Sequence, residues 1–354
     1  MNPIFLMISI IVGLAAIWLL IAAYVTRRTH WVPHLSESRT IRTSDGWDLG
    51  LHHLQGPQDL QRSPPLVLCH GILMSRHCWL PPEDIPSLAR SLARMGHDIW
   101  VVELRGSGAS FAKNRKMQWT YDFADYIEID LPAICAAVRE ASGADQVHWV
   151  GHSMGGMIAY AHLATTEQPA FQKLVTLGSP VWLGRAVNRL PASLVDVPLR
   201  IVGSIDLGRL ARVGGPFLYL RNVMWNKQFL NPVGLSRTWL AAQKHWGVQR
   251  TATRMLRTVL AWQQQGGPWL PRYAHQDGPY PAPPGGILAL HGAVDYMATP
   301  KNVGYLEDFF PDAIIEAAEQ DPSARPYGHL DLLAGPPEVE ALAERIHRFL
   351  TADA

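Results

Sequence analysis

Cysteine is scarce. Cys69, Cys78 and Cys135 are the three in 354 residues. Their number and spacing make neither a disulfide framework nor a zinc-type cluster. A small, odd count suits a reducing compartment. Charged residues are also sparse, at 17%, and the net charge is only +1. No internal repeat is present, which excludes solenoid and propeller arrays. What the chain has instead is apolar bulk, 48% of its residues. That supports a substantial core, in one large domain with an insertion or in two small ones.

Charge is missing altogether from Ile4 to Val25. Those residues, as a helix, are about 33 Å long, enough for a hydrocarbon core of roughly 30 Å. A signal peptide has a shorter apolar region with a basic residue before it. Here Met1-Asn2-Pro3 comes before the run and Arg27-Arg28 after it. The expectation is a retained transmembrane anchor over residues 1–28, with residues 4–25 in the membrane. The positive-inside rule places the basic pair, and the domain that follows, on the cytoplasmic side.

Gly151-His152-Ser153-Met154-Gly155-Gly156 carries the chemistry. A strand-like run, Gln146–Val150, precedes it and a helix-like run, Met157–Ala164, follows. G-x-S-x-G between strand and helix is a nucleophile elbow, with small residues two before and two after the serine. A serine hydroxyl needs a base, and the base needs an orienting carboxylate. On a strand–helix scaffold of this kind the order is serine, acid, histidine. Asp295 follows the buried strand Gly286–Gly292, where catalytic groups of open sheets sit. His329 lies in a loop before the last helix. The expected triad is therefore Ser153, Asp295 and His329. Asp331 is a rival acid, but a carboxylate two residues from the base suits fixing the loop backbone. After the strand Lys173–Leu177 no carboxylate comes before Asp196, which argues against an acid there. His148 falls in a strand and His162 in a helix, as packing or surface residues. His152 occupies a variable elbow position. The expected oxyanion donors are the amides of Met154, after the serine, and Ile72, after His70-Gly71.

Nearly all-apolar strands alternate with helices, which means a mostly parallel sheet covered on both faces. The strands are expected at Trp47–Leu54, Leu66–Cys69, Asp98–Leu104, Gln146–Val150, Lys173–Leu177, Ile287–Leu290 and Ala313–Ala318. Helices are expected at Pro86–Met95, Tyr126–Ala141 and Glu338–Phe349. The alternation stops between Val181 and about Pro284. The divisions are thus the anchor, a first core part at 29–180, a cap or lid at 181–284, and a second core part at 285–354. The cap reads as partly helical, at Leu235–Trp246 and Thr251–Gln265.

Acids are almost absent from that insertion. From Val181 to His275 only Asp196 and Asp206 stand against thirteen Lys/Arg. The same stretch holds Trp182, Trp225, Trp239, Trp246, Trp262 and Trp269. This composition suits a surface resting on anionic lipid headgroups. It also suits a pocket for an anionic acyl substrate, or a soluble cap with buried tryptophans and solvated arginines. Nucleic acid fits poorly, because the basic residues are scattered among apolar ones without an accompanying motif.

These residues resemble the α/β-hydrolase superfamily from about Arg42 to Leu350. The markers are His70-Gly71, Glu103–Ser110, the Gly151–Gly156 elbow, Gly292–Asp295 and Gly328-His329. His70–Ser75 with Trp79, Trp119–Phe123, Tyr126–Ala133 and His329-Leu330-Asp331 are similar to the acid-lipase branch. Glu103 stands where the superfamily usually has aspartate, and Met154 where acid lipases usually have glutamine. Acid lipases are typically secreted or lysosomal. The resemblance implies a serine hydrolase of carboxylic esters, lipid-like, needing no metal or organic cofactor. Its partners would be a small ester or lipid substrate and the membrane. An acyltransferase using an alcohol or thiol acceptor is the alternative on the same scaffold. A non-catalytic protein that kept the fold is disfavoured by the complete three-residue set.

Overall fold

The computed structural model describes residues 3–57, 62–183, 192–214, 231, 239, 246–319, 321 and 325–352. An apolar helix, α1 (Pro3–Arg28), leads into a mostly parallel sheet. The strands are β1 (Glu37–Arg42), β2 (Trp47–Leu54), β3 (Arg62–Cys69), β4 (His97–Glu103), β5 (Phe111–Ala112), β6 (His148–His152), β7 (Leu174–Leu177), β10 (Ile287–His291) and β11 (Ile314–Ala317), with β8 (Ser204–Asp206) and β9 (Arg250–Ala252) outside this sheet. Their order is β1-β2-β4-β3-β6-β7-β10-β11, and β5 pairs with β2. The strands from β4 to β11 run parallel, whereas β2 is antiparallel to β1, β4 and β5.

Alternating side chains fill two cores, one on each face of the sheet. Val67, Cys69, Trp100, Val102 and Trp149 point to one face. Leu66, Leu68, Ile99, Val101, Val150, Leu288 and Leu290 point to the other. On the first face lie α3 (Leu131–Ser142) and α4 (Met154–Thr165). On the second lie α2 (Leu88–Arg94) and the last helix, α8 (Val339–Thr351). The chain leaves β3 for β4 on one side and later returns to β6 on the other. That switch point opens a crevice at the strands' C-terminal ends. The register brings those ends level: Cys69 pairs with Gly151, His152 with Leu177, and Leu177 with Leu290.

Local chemistry explains where elements begin. Helix α2 starts at Leu88 because the Ser87 hydroxyl accepts the Arg90 amide. The helix expected from Tyr126 is a π turn over Tyr126–Asp130 before α3 takes over. Pro132 has no N–H to continue the ladder, and the Leu131 amide reaches back to the Tyr126 carbonyl instead.

Between β7 and β10 lie helices α5 (Ala192–Ile201), α6 (Leu207–Val213) and α7 (Thr253–Gln265). They are not the whole of the insertion. Ser204–Asp206 (β8) and Arg250–Ala252 (β9) form an antiparallel ribbon, so α7 starts at Thr253 and not at Thr251. Most of the expected helix Leu235–Trp246 lies outside the described residues, as do Arg185, Arg189, Arg221, Trp225, Lys227, Arg237 and Lys244. Trp239, Trp262 and Trp269 are buried. Trp262 and Trp269 stack at 5.1 Å and meet Phe123 edge-on. Trp262 and Trp269 therefore join the core on the first face of the sheet and Trp239 the core on the second, while Arg200, Arg209 and Arg254 are exposed.

Candidate active site

Ser153 sits between β6 and α4 with φ 51° and ψ −119°. For a residue with a side chain this is strained backbone, and strain of this kind concentrates at working sites. The turn is possible because two glycines sit at its sides. A Cβ on Gly155 would lie 2.4 Å from the Cys69 carbonyl oxygen, and one on Gly151 2.4 Å from the Gly155 backbone. The Ser153 amide donates to the Leu177 carbonyl at 2.9 Å, and the Trp149 indole donates to the Gly155 carbonyl. The elbow is thus fastened to its neighbouring strand and to its own β6.

Asp295 is buried just beyond β10. One of its oxygens accepts the Met297 and Ala298 amides, both at 2.8 Å. The other accepts Nδ1–H of His329 at 2.8 Å. This arrangement sets the tautomer, leaving the Nε2 lone pair available as a base. Gly178, immediately after β7, makes room for the pair. Its φ is +56°, and a Cβ there would come within 3.0 Å of both Asp295 Oδ2 and His329 Nδ1. Ser153 and the Asp295–His329 pair therefore flank the end of β7. None of the hydrogen bonds among the described residues joins Ser153 Oγ to His329 Nε2, and such bonds are often long before substrate binds.

Asp331 has a different task. One oxygen accepts the Gly328 and Asn231 amides, both at 2.7 Å, and Arg325 lies 3.4 Å from the other. Burial raises its pKa against the pull of Arg325. It pins the backbone just before His329 and ties that loop to Asn231 of the insertion.

The loop after β3 is held by His70. The Leu104 amide donates to its Nε2 at 3.1 Å, so Nδ1 carries the proton and donates to the Gly71 carbonyl at 2.8 Å. Burial lowers the His70 pKa and keeps the ring neutral in this role. Ile72 follows, then Leu73 in the left-handed region at φ 63°. The Leu73 carbonyl accepts the Gln249 amide from the insertion at 2.6 Å. Beyond it, the buried Glu103 carboxylate takes the Arg76 guanidinium at 2.8 Å, His52 Nε2 at 3.1 Å and the Ala109 amide at 2.7 Å. The amides of Ile72 and Met154 have no hydrogen-bond partner among the described residues. Met154 opens α4, so its N–H lies at the positive end of that helix.

The sequence model described as "alpha/beta hydrolase fold" matches residues 64–336. This chain belongs to that family. A second model, "partial alpha/beta-hydrolase lipase region", matches residues 34–82. The tear acid lipase-like protein of Mesocricetus auratus is 32% identical over 164 residues, 43% of this chain and 40% of that protein. The lysosomal acid lipase/cholesteryl ester hydrolase of Macaca fascicularis is 27% identical over 215 residues, 58% of this chain and 49% of that protein. The chain spans less than half the length of these curated relatives. The crystal structure of a membrane phospholipase A shares the fold, with TM-score 0.53 at 16% identity, covering 99% of this chain and 98% of that one.

Within this hydrolase fold, sequence reasoning misses one neighbour of His329. His152 is fully buried, its ring 4.6 Å from that of His329, and its Nε2 is 3.0 Å from the His329 carbonyl. Burial depresses its pKa well below the ordinary value, so it stays neutral and donates that proton. The signal available in the sequence is a histidine directly before the nucleophile, and only the fold shows what it touches.

Proposed function

We propose that the chain is a membrane-anchored serine hydrolase of carboxylic esters with lipid-like acyl groups. One observation carries this reading. The Asp295–His329 hydrogen bond stands beside a serine held on a strained elbow. In the proposed reaction, Ser153 Oγ attacks the ester carbonyl and its proton passes to His329 Nε2. Asp295 steadies the imidazolium that forms. The Ile72 and Met154 amides stabilise the oxyanion. His329 then protonates the departing alcohol, leaving the acyl group on Ser153. Water attacks that ester, gives its proton to His329, and the acid leaves as Ser153 recovers its own.

The lipid-like substrate class is supported by the names of the acid-lipase relatives and by the apolar α1. We read α1 as the anchor, with the Arg27-Arg28 side cytoplasmic, and residues 181–284 as a cap over the crevice. The cap is tied to both loops of the site, through Gln249 to Leu73 and through Asn231 to Asp331.

An active-site fluorophosphonate tests the chemistry. Wild-type protein should be labelled and Ser153→Ala should not. Equal labelling of the two would remove Ser153 as the nucleophile. A panel of p-nitrophenyl esters and glycerolipids then sizes the acyl site. Product analysis with an added alcohol separates hydrolysis from acyl transfer.

A further inference from the structure

The C-terminal half of α1 does not stand clear of the protein. Ala22, and Thr29 just past the helix, are buried, and Trp18, Val25 and Thr26 on the same face are half-buried, while the residues between them are exposed. Their neighbour is α6 of the insertion. The Trp18 indole donates to the Val213 carbonyl, the last residue of α6, at 2.9 Å. The junction after α1 is also seated. His30 meets Trp246 at 4.5 Å, and the Trp31 indole donates to the Leu80 carbonyl at 2.8 Å.

This contact sets a depth. Trp18 precedes Arg27 by nine residues, about 14 Å of helix. The stretch before Trp18, Ile4–Ile17, is only about 21 Å long, too short for a hydrocarbon core of roughly 30 Å. Crossing that core takes about twenty residues, to near Ala23. The leaflet surface must then rise several ångströms past Trp18, to the level where α6 lies.

The insertion exposes apolar side chains on α6 and on α5, which β8 joins to it. Ile201 is 82% exposed and Leu210 63% exposed, and Val197, Val202 and Val213 are exposed as well. Val197 and Ile201 share a face of α5 by their four-residue spacing, and Leu210 and Val213 share a face of α6 by their three-residue spacing. Arg209 is exposed beside them, as is Arg200, whose guanidinium donates to Asp196 at 2.7 Å, and cations here suit phosphate headgroups.

We propose that the α5–α6 edge of the insertion is a lipid-docking surface, seated in the outer few ångströms of the leaflet that α1 enters. It rests on the reading of α1 as a membrane anchor. The occupant is the bilayer itself, because α6 contacts the apolar span directly. The consequence is that the insertion touches the lipid from which a lipid ester would be drawn.

The test uses the full chain in phosphatidylcholine vesicles. The native cysteines are buried. Ile201→Cys, Leu210→Cys and, for comparison, Glu140→Cys on α3 can therefore each carry a polarity-sensitive dye. Dyes at 201 and 210 should emit further to the blue than at 140. They should also be quenched several-fold more by lipids bearing a nitroxide high on the acyl chain. Alkaline carbonate extraction is run in parallel. Protein that resists extraction but gives the same quenching at all three sites overturns the docking surface and leaves the anchor standing. Protein that carbonate strips from the vesicles overturns the anchor, and the docking surface with it. In a second measurement, the double variant Ile201→Glu, Leu210→Glu should lose roughly a hundredfold on vesicle-borne ester, since seating each such side chain contributes about a factor of ten. Its activity on a soluble short-chain ester should hold. Undiminished activity on vesicles also overturns the proposal.

Discussion

His152 Nε2 lies 3.0 Å from the carbonyl of His329, across 177 positions of chain. The residue before the nucleophile thus holds the main chain of the candidate base. His152→Phe should lower kcat by roughly ten- to a hundredfold through a small displacement of the imidazole. The KM for a short ester should stay nearly constant. His152→Gln keeps an N–H donor and should recover part of the loss. Equal losses in both variants would point to packing alone.

The two nearby carboxylates should separate cleanly. Asp295→Asn disturbs the acceptor of His329 Nδ1–H, and kcat should fall by about 10⁴-fold. Asp331→Asn weakens a backbone clamp, costing about 1–2 kcal/mol of stability. Esterase assays and urea unfolding on both variants check this. A larger kcat loss in Asp331→Asn would reverse the assignment of the acid.

Glu103 predicts a pH dependence of folding. Burial alone would raise its pKa, but the His52 hydrogen bond and the Arg76 charge outweigh it and bring the value to about 2. A carboxylate with a lowered folded-state pKa stabilises the fold above its ordinary value near 4.5. That contribution, on the order of 3 kcal/mol, is lost as pH falls from there towards 2. Glu103→Gln should therefore be clearly less stable than wild type at neutral pH. The gap should narrow through that acid window, which urea unfolding across pH measures.

Gly155→Ala places a Cβ 2.4 Å from the Cys69 carbonyl oxygen, with backbone on both sides of the clash. The elbow must shift away from β3, at a cost of about 2–4 kcal/mol. Thermal unfolding should show the loss, and fluorophosphonate labelling of the fraction still folded should slow. Unchanged labelling would mean that the elbow tolerates a wider turn.

Much of this arrangement is legible in the sequence, for identifiable reasons. Strands β3, β6, β7 and β10 have both faces covered and read as apolar runs. Edge strand β1 does not, because Ile41 is its one buried side chain. The ribbon of β8 and β9 is three residues on each side, too short for any periodicity. Ser153, Asp295 and His329 are readable because each follows or precedes a local signal at a strand end. The partners of His152, Asp331 and Leu73 are not, since Gln249 and Asn231 lie far away in the chain and act through backbone atoms. The tryptophans of the insertion illustrate a limit of composition. It counts Trp239, Trp262 and Trp269 without telling whether they meet lipid or the protein core.

Leu73 and Ser153 are the two non-glycine residues with positive φ among those described. One follows the candidate donor Ile72 and the other precedes the candidate donor Met154. The energy spent on holding them bent is a debit against the fold as a whole. Laboratory selection for heat resistance should therefore find easy gains by relaxing these two positions, and those gains should come with slower turnover. Enzyme engineers seeking a sturdier catalyst would do better to work elsewhere in the chain.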